Sequence, residues 1–293
     1  MKKFVLAYNP VSGNATFKKR LDEIIEVFQR RKILLIPYRT RAAENSDFAE
    51  CVKESGAEGS LSAGGDGTLH LVVNLMMKNK IDLPVGIIGS GTSNDFATYL
   101  KIDGGEDYFD VIAEGITRPA DLGLANDKEY FINVACAGAF TAVAHEANTK
   151  LKNIFGKRAY YFRGISELPK FKSVRLEIIA DGQSFGEDAF LFLVLNGSAV
   201  AGFKKILESA EIDDGKLDFV AVKKSGPGLL VPLMKNIFSG KAVDENPGIL
   251  HIRARNFEIK SSENLVGDLD GESGDPLPLK IETIPQALRF FAR

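Results

Sequence analysis

Cysteine occurs only twice in the 293 residues, at Cys51 and Cys136, far apart and outside any CxxC pair. That excludes a disulfide framework or zinc ribbon and suits a reducing compartment. Histidine is almost as scarce, and His70, His145 and His251 show no metal-ligand spacing. No charge of one sign dominates. The formal net charge is −2, so there is no global basic field to attract nucleic acid, and a nucleic-acid partner is not expected. No apolar run approaches the ~18 residues of a membrane span. The opening MKKFVLAYNP has two lysines and a short apolar run, but the run stops at Asn9-Pro10 without a cleavage site. These absences predict a cytoplasmic protein whose contact with a membrane is peripheral. Two nucleotide signatures are missing as well: there is no GxxxxGK[ST], and the GGDGT run lacks the GxGxxG pattern of dinucleotide binders.

What is present falls into two textures. Over about the first 120 residues, short apolar runs alternate with helical periods. Phe4 to Tyr8, Ile33 to Ile36, Gly59 to Ala63 and Leu83 to Ile88 read as buried strands. Phe17, Leu21, Ile24, Ile25 and Phe28 recur at helical spacing, and Arg30, Arg31 and Lys32 suit that helix's C-terminal end. Ser46 to Ser55, closed by Gly56, and Thr68 to Met77 read as further helices. This βαβα rhythm predicts a parallel sheet covered on both faces, an α/β domain. Beyond residue 120 the period becomes two. Asn126-Asp127 and Asp181-Gly182 are hairpin signals, and HIRARNFEIK (251–260) alternates almost strictly. Two insertions, roughly 139–168 and 226–241, read as helical. The second domain is therefore expected to be mostly antiparallel β, a sandwich or distorted barrel.

Three glycine-bearing turns sit where a strand ends and a helix begins: NPVSGN (9–14), GGDGT (64–68) and GSGTSND (89–95). Ligands of open parallel sheets bind at the carboxyl ends of the strands. Free N–H groups at helix N-termini hold phosphate, and glycine lets backbone approach it closely. Three such turns on one sheet edge predict a nucleotide-phosphate site. Thr68 and Thr92 have hydroxyls to donate to phosphate. Asp66 repels phosphate unless a Mg²⁺ stands between them. The alternative makes Asp66 and Thr68 caps of the following helix, with Ser93 and Asp95 doing the same for the next.

At these residues the chain resembles the diacylglycerol kinase catalytic domain family, including its bacterial soluble lipid-kinase relatives. NPVSG resembles the family's NPxSG, SAGGDGTLHLVVN its GGDGTLNEVVN, and SGTSNDFA its GTxNDFA. EIDDGKLDF (211–219) resembles its DDGxLD segment, and LDGE (269–272) its late DGE. His70 and Leu71 stand where the family usually has Asn-Glu.

The resemblance implies a Rossmann-like nucleotide-binding domain over 1–122, rejoined by 281–293, and a β-rich sandwich-like lipid-substrate domain over 123–280. It implies a cleft between them for ATP and lipid. The nucleotide site would comprise Asn9, Pro10, Val11, Ser12, Gly13, Thr40, Gly64, Gly65, Asp66, Gly67, Thr68, Leu69, His70 and Thr92. Asp66 would fix the Mg²⁺ of ATP, and Glu272 would be the general base for the lipid hydroxyl, with Asp270 holding metal or orienting Glu272. A structural Mg²⁺ would sit on the Asp214 carboxylate and the carbonyls of Glu211 and Lys216. The implied reaction moves the γ-phosphate of ATP to a lipid alcohol. Diacylglycerol is the expected acceptor; phosphatidylglycerol, undecaprenol, a sphingoid base or a soluble alcohol such as NAD are alternatives, as is a non-enzymatic nucleotide-binding regulator.

Such an enzyme needs a way onto the bilayer. Residues 150–175 carry eight Lys/Arg against one acidic residue, Glu167, with Phe155, Tyr160, Tyr161, Phe162 and Phe171 interleaved. Basic-aromatic composition suits an anionic membrane surface; the alternative packs these aromatics into the β domain. Exposed strand edges would also allow a homodimer.

Overall fold

The computed structural model describes residues 1–12, 17–42, 44–89, 94–102, 104–138, 172–203 and 205–293. The expected helix over 139–168, most of the basic-aromatic stretch, Gly13, Thr92 and Ser93 lie outside the described residues. Two compact units divide the chain: Met1–Ala120 with Gln286–Arg293, and Asp121–Pro285.

In the first unit, strand and helix alternate as β1 (Lys2–Tyr8), α1 (Phe17–Arg30), β2 (Ile33–Arg39), α2 (Phe48–Ser55), β3 (Gly59–Gly64), α3 (Asp66–Lys78), β4 (Val85–Gly89), α4 (Asp95–Tyr99) and α5 (Glu106–Glu114). The four strands pair in parallel in the order β4-β3-β1-β2. Phe4 to Ala7 and all of β3 are buried, so both faces of the sheet are covered at its centre, whereas β2 at the edge alternates buried and exposed residues. From α1, Phe17, Ile24, Val27 and Phe28 enter the same core cluster. The α2 helix ends on Gly56 at φ 62, whose N–H donates to the Lys53 carbonyl; only glycine takes this left-handed conformation without strain. The α5 helix was not expected from the periodicity. It is nine residues between glycines, and it is held by Arg31, which reaches Glu106 and Asp110. The α5 residues Tyr108, Phe109, Val111 and Ile112 are buried.

The second unit is antiparallel. It contains β6 (Glu129–Phe131), β7 (Val134–Gly138), β8 (Val174–Ala180), β9 (Gln183–Leu195), β10 (Leu217–Lys223), the helix α6 (Pro227–Phe238), β11 (Ile249–Ala254), β12 (Asn256–Ser261), β13 (Val266–Leu269) and β14 (Glu272–Pro276). The chain passes between the units within β5 (Thr117–Ala125) and again within β15 (Leu279–Phe291). Three hairpins have two successive turn residues at positive φ: Asn126-Asp127, Asp181-Gly182 and Asp270-Gly271. Asp181-Gly182 and Asp270-Gly271 are two-residue loops whose twist matches the strands they join, and Asn126-Asp127 opens a three-residue loop between Ala125 and Glu129. The 13-residue β9 serves three partners, β8, β7 and β10. One apolar cluster gathers residues such as Phe131, Phe192, Phe219 and Phe257, and a second packs α6 against β10 and β11.

The alternation over 251–260 does not form one strand. β11 pairs with β10, whereas β12 pairs with β8 and β15. The break falls at Arg255. Asp181 accepts the N–H groups of Arg255 at 3.0 Å and Asn256 at 2.9 Å, and Thr283 donates its N–H and hydroxyl to the Arg255 carbonyl. Burial alone would raise the Asp181 pKa. The N–H groups of Arg255 and Asn256, the Asn256 side chain and Lys216 outweigh it and hold the carboxyl below its usual value.

Two outcomes are expected. Phe291 is 2% exposed and stacks on Phe4 at 5.6 Å, so Phe291→Ala costs about 3–5 kcal/mol in chemical denaturation. Because the Asp181 pKa is lowered by folding, its contribution is complete above the ordinary aspartate pKa of about 3.9 and is lost as pH falls through the folded value. Asp181→Asn therefore flattens the acid limb of the stability profile, read as urea midpoints between pH of about 3 and 6.

Candidate active site

The first glycine turn leaves the end of β1. The Asn9 N–H donates to the Ala63 carbonyl at 3.0 Å, and the Asn9 side-chain oxygen accepts the Val11 N–H at 3.0 Å, closing a turn on itself. Pro10 is buried, Ser12 is half-buried and Val11 is 73% exposed. Thr40 stands beside this turn, where its N–H and hydroxyl both donate to the Tyr8 carbonyl. Its hydroxyl ties β2 to β1. The second and third turns leave β3 and β4 side by side, because Gly64 and Gly89 are register partners. Both glycines answer to close neighbours. A Cβ on Gly64 would lie 2.1 Å from the Thr68 hydroxyl, and one on Gly89 would lie 2.9 Å from the Asn94 side chain.

Asp66 joins these two turns. One of its carboxylate oxygens accepts the Asn94 N–H at 3.1 Å, and the other accepts the Asp95 N–H at 2.9 Å. The carboxylate thus serves the N-terminus of α4 rather than its own helix. Gly65 is the N-cap of α3 and Asn94 that of α4, and neither cap has a side-chain hydrogen bond. The capping alternative for Thr68 also fails: its hydroxyl is buried without a hydrogen-bond partner. A buried hydroxyl at a helix N-terminus, beside two glycine turns, has the donor chemistry for a phosphate oxygen. Leu69 and His70 are buried in α3, and His70 lies against Asn74. Gly65 and Gly67 are half-buried at the turn.

The second unit holds a chain of buried polar groups. Asp121, fully buried, accepts the Gly215 N–H of the DDG loop. The Asn196 side-chain amide donates to the carbonyls of Asp121 at 2.7 Å and Ile132 at 2.8 Å. The N–H groups of Ile132, Asn133 and Val134 converge on the Asp270 carboxylate at 2.8 to 3.0 Å. Asp270 therefore holds the Ile132–Val134 backbone to the β13–β14 hairpin. Glu272, the first residue of β14, is exposed. The side-chain oxygens of Asn133 and Asn196 are buried and without partners. Asp121, Asn133 and Asn196 were not singled out in the sequence: Asp121 stands alone in β5, and Asn133 and Asn196 lie just outside strands, with no spacing to mark them. Burial raises the Cys136 thiol pKa well above normal, and the carboxylates of Asp268 and Asp270 raise it further.

In the loop expected to hold a structural Mg²⁺, Asp214 accepts the Lys216 N–H at 2.9 Å and pairs with Arg253. Among the described residues, no cluster of three or more His, Cys, Asp or Glu side chains is gathered for a metal.

A parallel α/β unit with glycine turns at its strand ends, followed by a β-sandwich-like unit, defines a class of nucleotide-dependent enzymes. The diacylglycerol kinase catalytic domain family matches residues 3–125, and the YegS C-terminal NAD kinase beta sandwich-like domain matches 133–292. A diacylglycerol kinase of Bacillus subtilis (strain 168) is 32% identical, over 95% of this chain and 92% of that protein. One of Staphylococcus aureus (strain Newman) is 33% identical, over 99% and 92%. The solved structure of a diacylglycerol kinase from Bacillus anthracis str. Sterne superposes with a TM-score of 0.80 at 26% identity, covering 100% of this chain and 97% of that one. The chain belongs to the diacylglycerol kinase family.

Removing Asp270 strands three backbone N–H groups. Asp270→Ala is expected to cost about 1–3 kcal/mol in denaturant unfolding.

Proposed function

We propose that the chain is an ATP-dependent lipid kinase that phosphorylates diacylglycerol to phosphatidic acid. The observation that carries this reading is the pair of in-register glycine turns tied by Asp66, with the partnerless Thr68 hydroxyl at the start of α3. The relatives named diacylglycerol kinase support the choice of acceptor.

Phosphoryl transfer asks for alignment, charge neutralisation and a proton acceptor. The turns following β1, β3 and β4 bind the triphosphate through backbone N–H groups, and Thr68 donates its hydroxyl to a phosphate oxygen. Mg²⁺, the ordinary companion of ATP, supplies positive charge to its phosphates, with Asp66 as the carboxylate to hold it directly or through water. Glu272 takes the proton of the lipid hydroxyl. The lipid oxygen bonds to the γ-phosphorus, the bond from that phosphorus to the bridging oxygen breaks, and ADP leaves. Asp270 keeps the hairpin that presents Glu272 in place through its three N–H bonds. The acceptor lies in a bilayer, so the enzyme works at the membrane surface as a peripheral protein. No helix among the described residues is long and apolar enough to cross a membrane.

With labelled ATP and diacylglycerol in mixed micelles, label moves to the organic phase. Label in NADP instead, with NAD as the soluble control, would overturn the lipid reading. Glu272→Gln retains nucleotide binding and loses about 10²–10⁴ in kcat; loss of ATP binding instead would remove Glu272 as the base. Asp66→Ala abolishes turnover by releasing two turns at once, and wild-type kinetics in that variant would exclude it from the site.

A further inference from the structure

We infer that α6 is the element that docks the protein on an anionic bilayer surface, an inference that rests on the lipid-kinase reading. The inward side of this helix is accounted for. Leu230 and Leu233 are 3% and 1% exposed and pack with Val220, Val222, Val243 and Ile249. The outward side is the anomaly. Gly228, Val231, Pro232 and Lys235 follow one another at i, i+3, i+4 and i+7, so they form one stripe, and all four are exposed. Val231 is 65% exposed and Leu229, on its flank, 41%. A helix facing water ordinarily places charged residues along such a stripe. A proline within the helix, on its solvent side, is a further departure.

Charge selects the occupant. From Phe219 to Val243 the sequence holds Lys223, Lys224, Lys235 and Lys241 and no Asp or Glu, in a chain whose formal net charge is −2. Lys224, Lys235 and Lys241 are exposed. An exposed Leu229, Val231 and Pro232 on a segment whose only charged residues are lysines is the composition of a helix lying in the interface of an anionic membrane. Its valine, leucine and proline enter the acyl boundary, and its lysines reach lipid phosphates along their methylene stems. A protein partner would need acidic groups set against four separate lysines; an anionic bilayer meets them all without a matched geometry.

The test is co-sedimentation of the full chain with phosphatidylcholine vesicles, with and without phosphatidylglycerol, at low and high salt. The wild-type protein is expected to bind the anionic vesicles, and salt to release it. Lys224→Glu and Lys235→Glu each weaken partitioning at least fivefold, the equivalent of about 1 kcal/mol per basic group near the surface. Val231→Asp weakens it by a comparable factor. Equal binding by wild type and variants, or binding indifferent to phosphatidylglycerol, would overturn the assignment. A parallel assay with diacylglycerol in detergent micelles separates the two readings, since it needs no vesicle docking. There the variants should turn over like wild type. A wild-type protein that binds anionic vesicles through α6 but phosphorylates no diacylglycerol would overturn the kinase reading and leave the docking surface standing.

Discussion

The Asp66 carboxylate, shared between the N–H groups of Asn94 and Asp95, is the constraint on which the first unit's turns depend. Both oxygens are fixed to the N-terminus of a neighbouring helix, where the backbone is electropositive, so the ends of β3 and β4 are held together. The glycines complete the lock: Gly64 makes room for Thr68, and Gly89 for Asn94. The bare backbone of these turns answers first to the protein's own side chains.

The same device recurs through the second unit. Asp270 collects three backbone N–H groups, Asp181 two and Asp121 one. Asp244 takes the N–H groups of Glu208 and Ser209. An antiparallel unit with its strands joined by irregular segments has many backbone donors outside the ladders, and each needs an acceptor. Carboxylates supply two oxygens at once and make the stronger, charge-assisted bond. Aspartate here works largely as a clamp for loops.

The parallel sheet and its glycine turns were legible because they are local. Buried stretches such as Phe4–Ala7 of β1 must be apolar and β3 must be made of small or apolar residues, and strand-to-helix turns that face close side chains, as at Gly64 and Gly89, must be small. The Asn126-Asp127 and Asp181-Gly182 turns were legible for the same reason. What escaped the sequence depends on distant partners. The alternation of 251–260 gives no sign that Asp181 and Thr283 seize Arg255 and split it into two strands. The DDG loop gives no sign that Arg253, some forty residues on, pairs with Asp214. Asp121, within β5, and Asn196, just past the end of β9, look unremarkable, since nothing in their immediate neighbours marks them as a connected polar chain.

The first unit is discontinuous: Gln286–Arg293 belongs to it although the whole second unit intervenes. Phe290 and Phe291 are buried residues of that unit, Phe290 edge-on to Phe96 and Phe291 stacked on Phe4. During synthesis, Met1–Ala120 emerges early but lacks these rings until residues 121–285 have been translated. At about 5–20 residues per second the delay is on the order of ten seconds. For that interval the nascent α/β sheet has an open edge at β4 and an unfilled core. The core of the N-terminal unit is therefore completed only by residues that lie beyond the whole second unit in the chain.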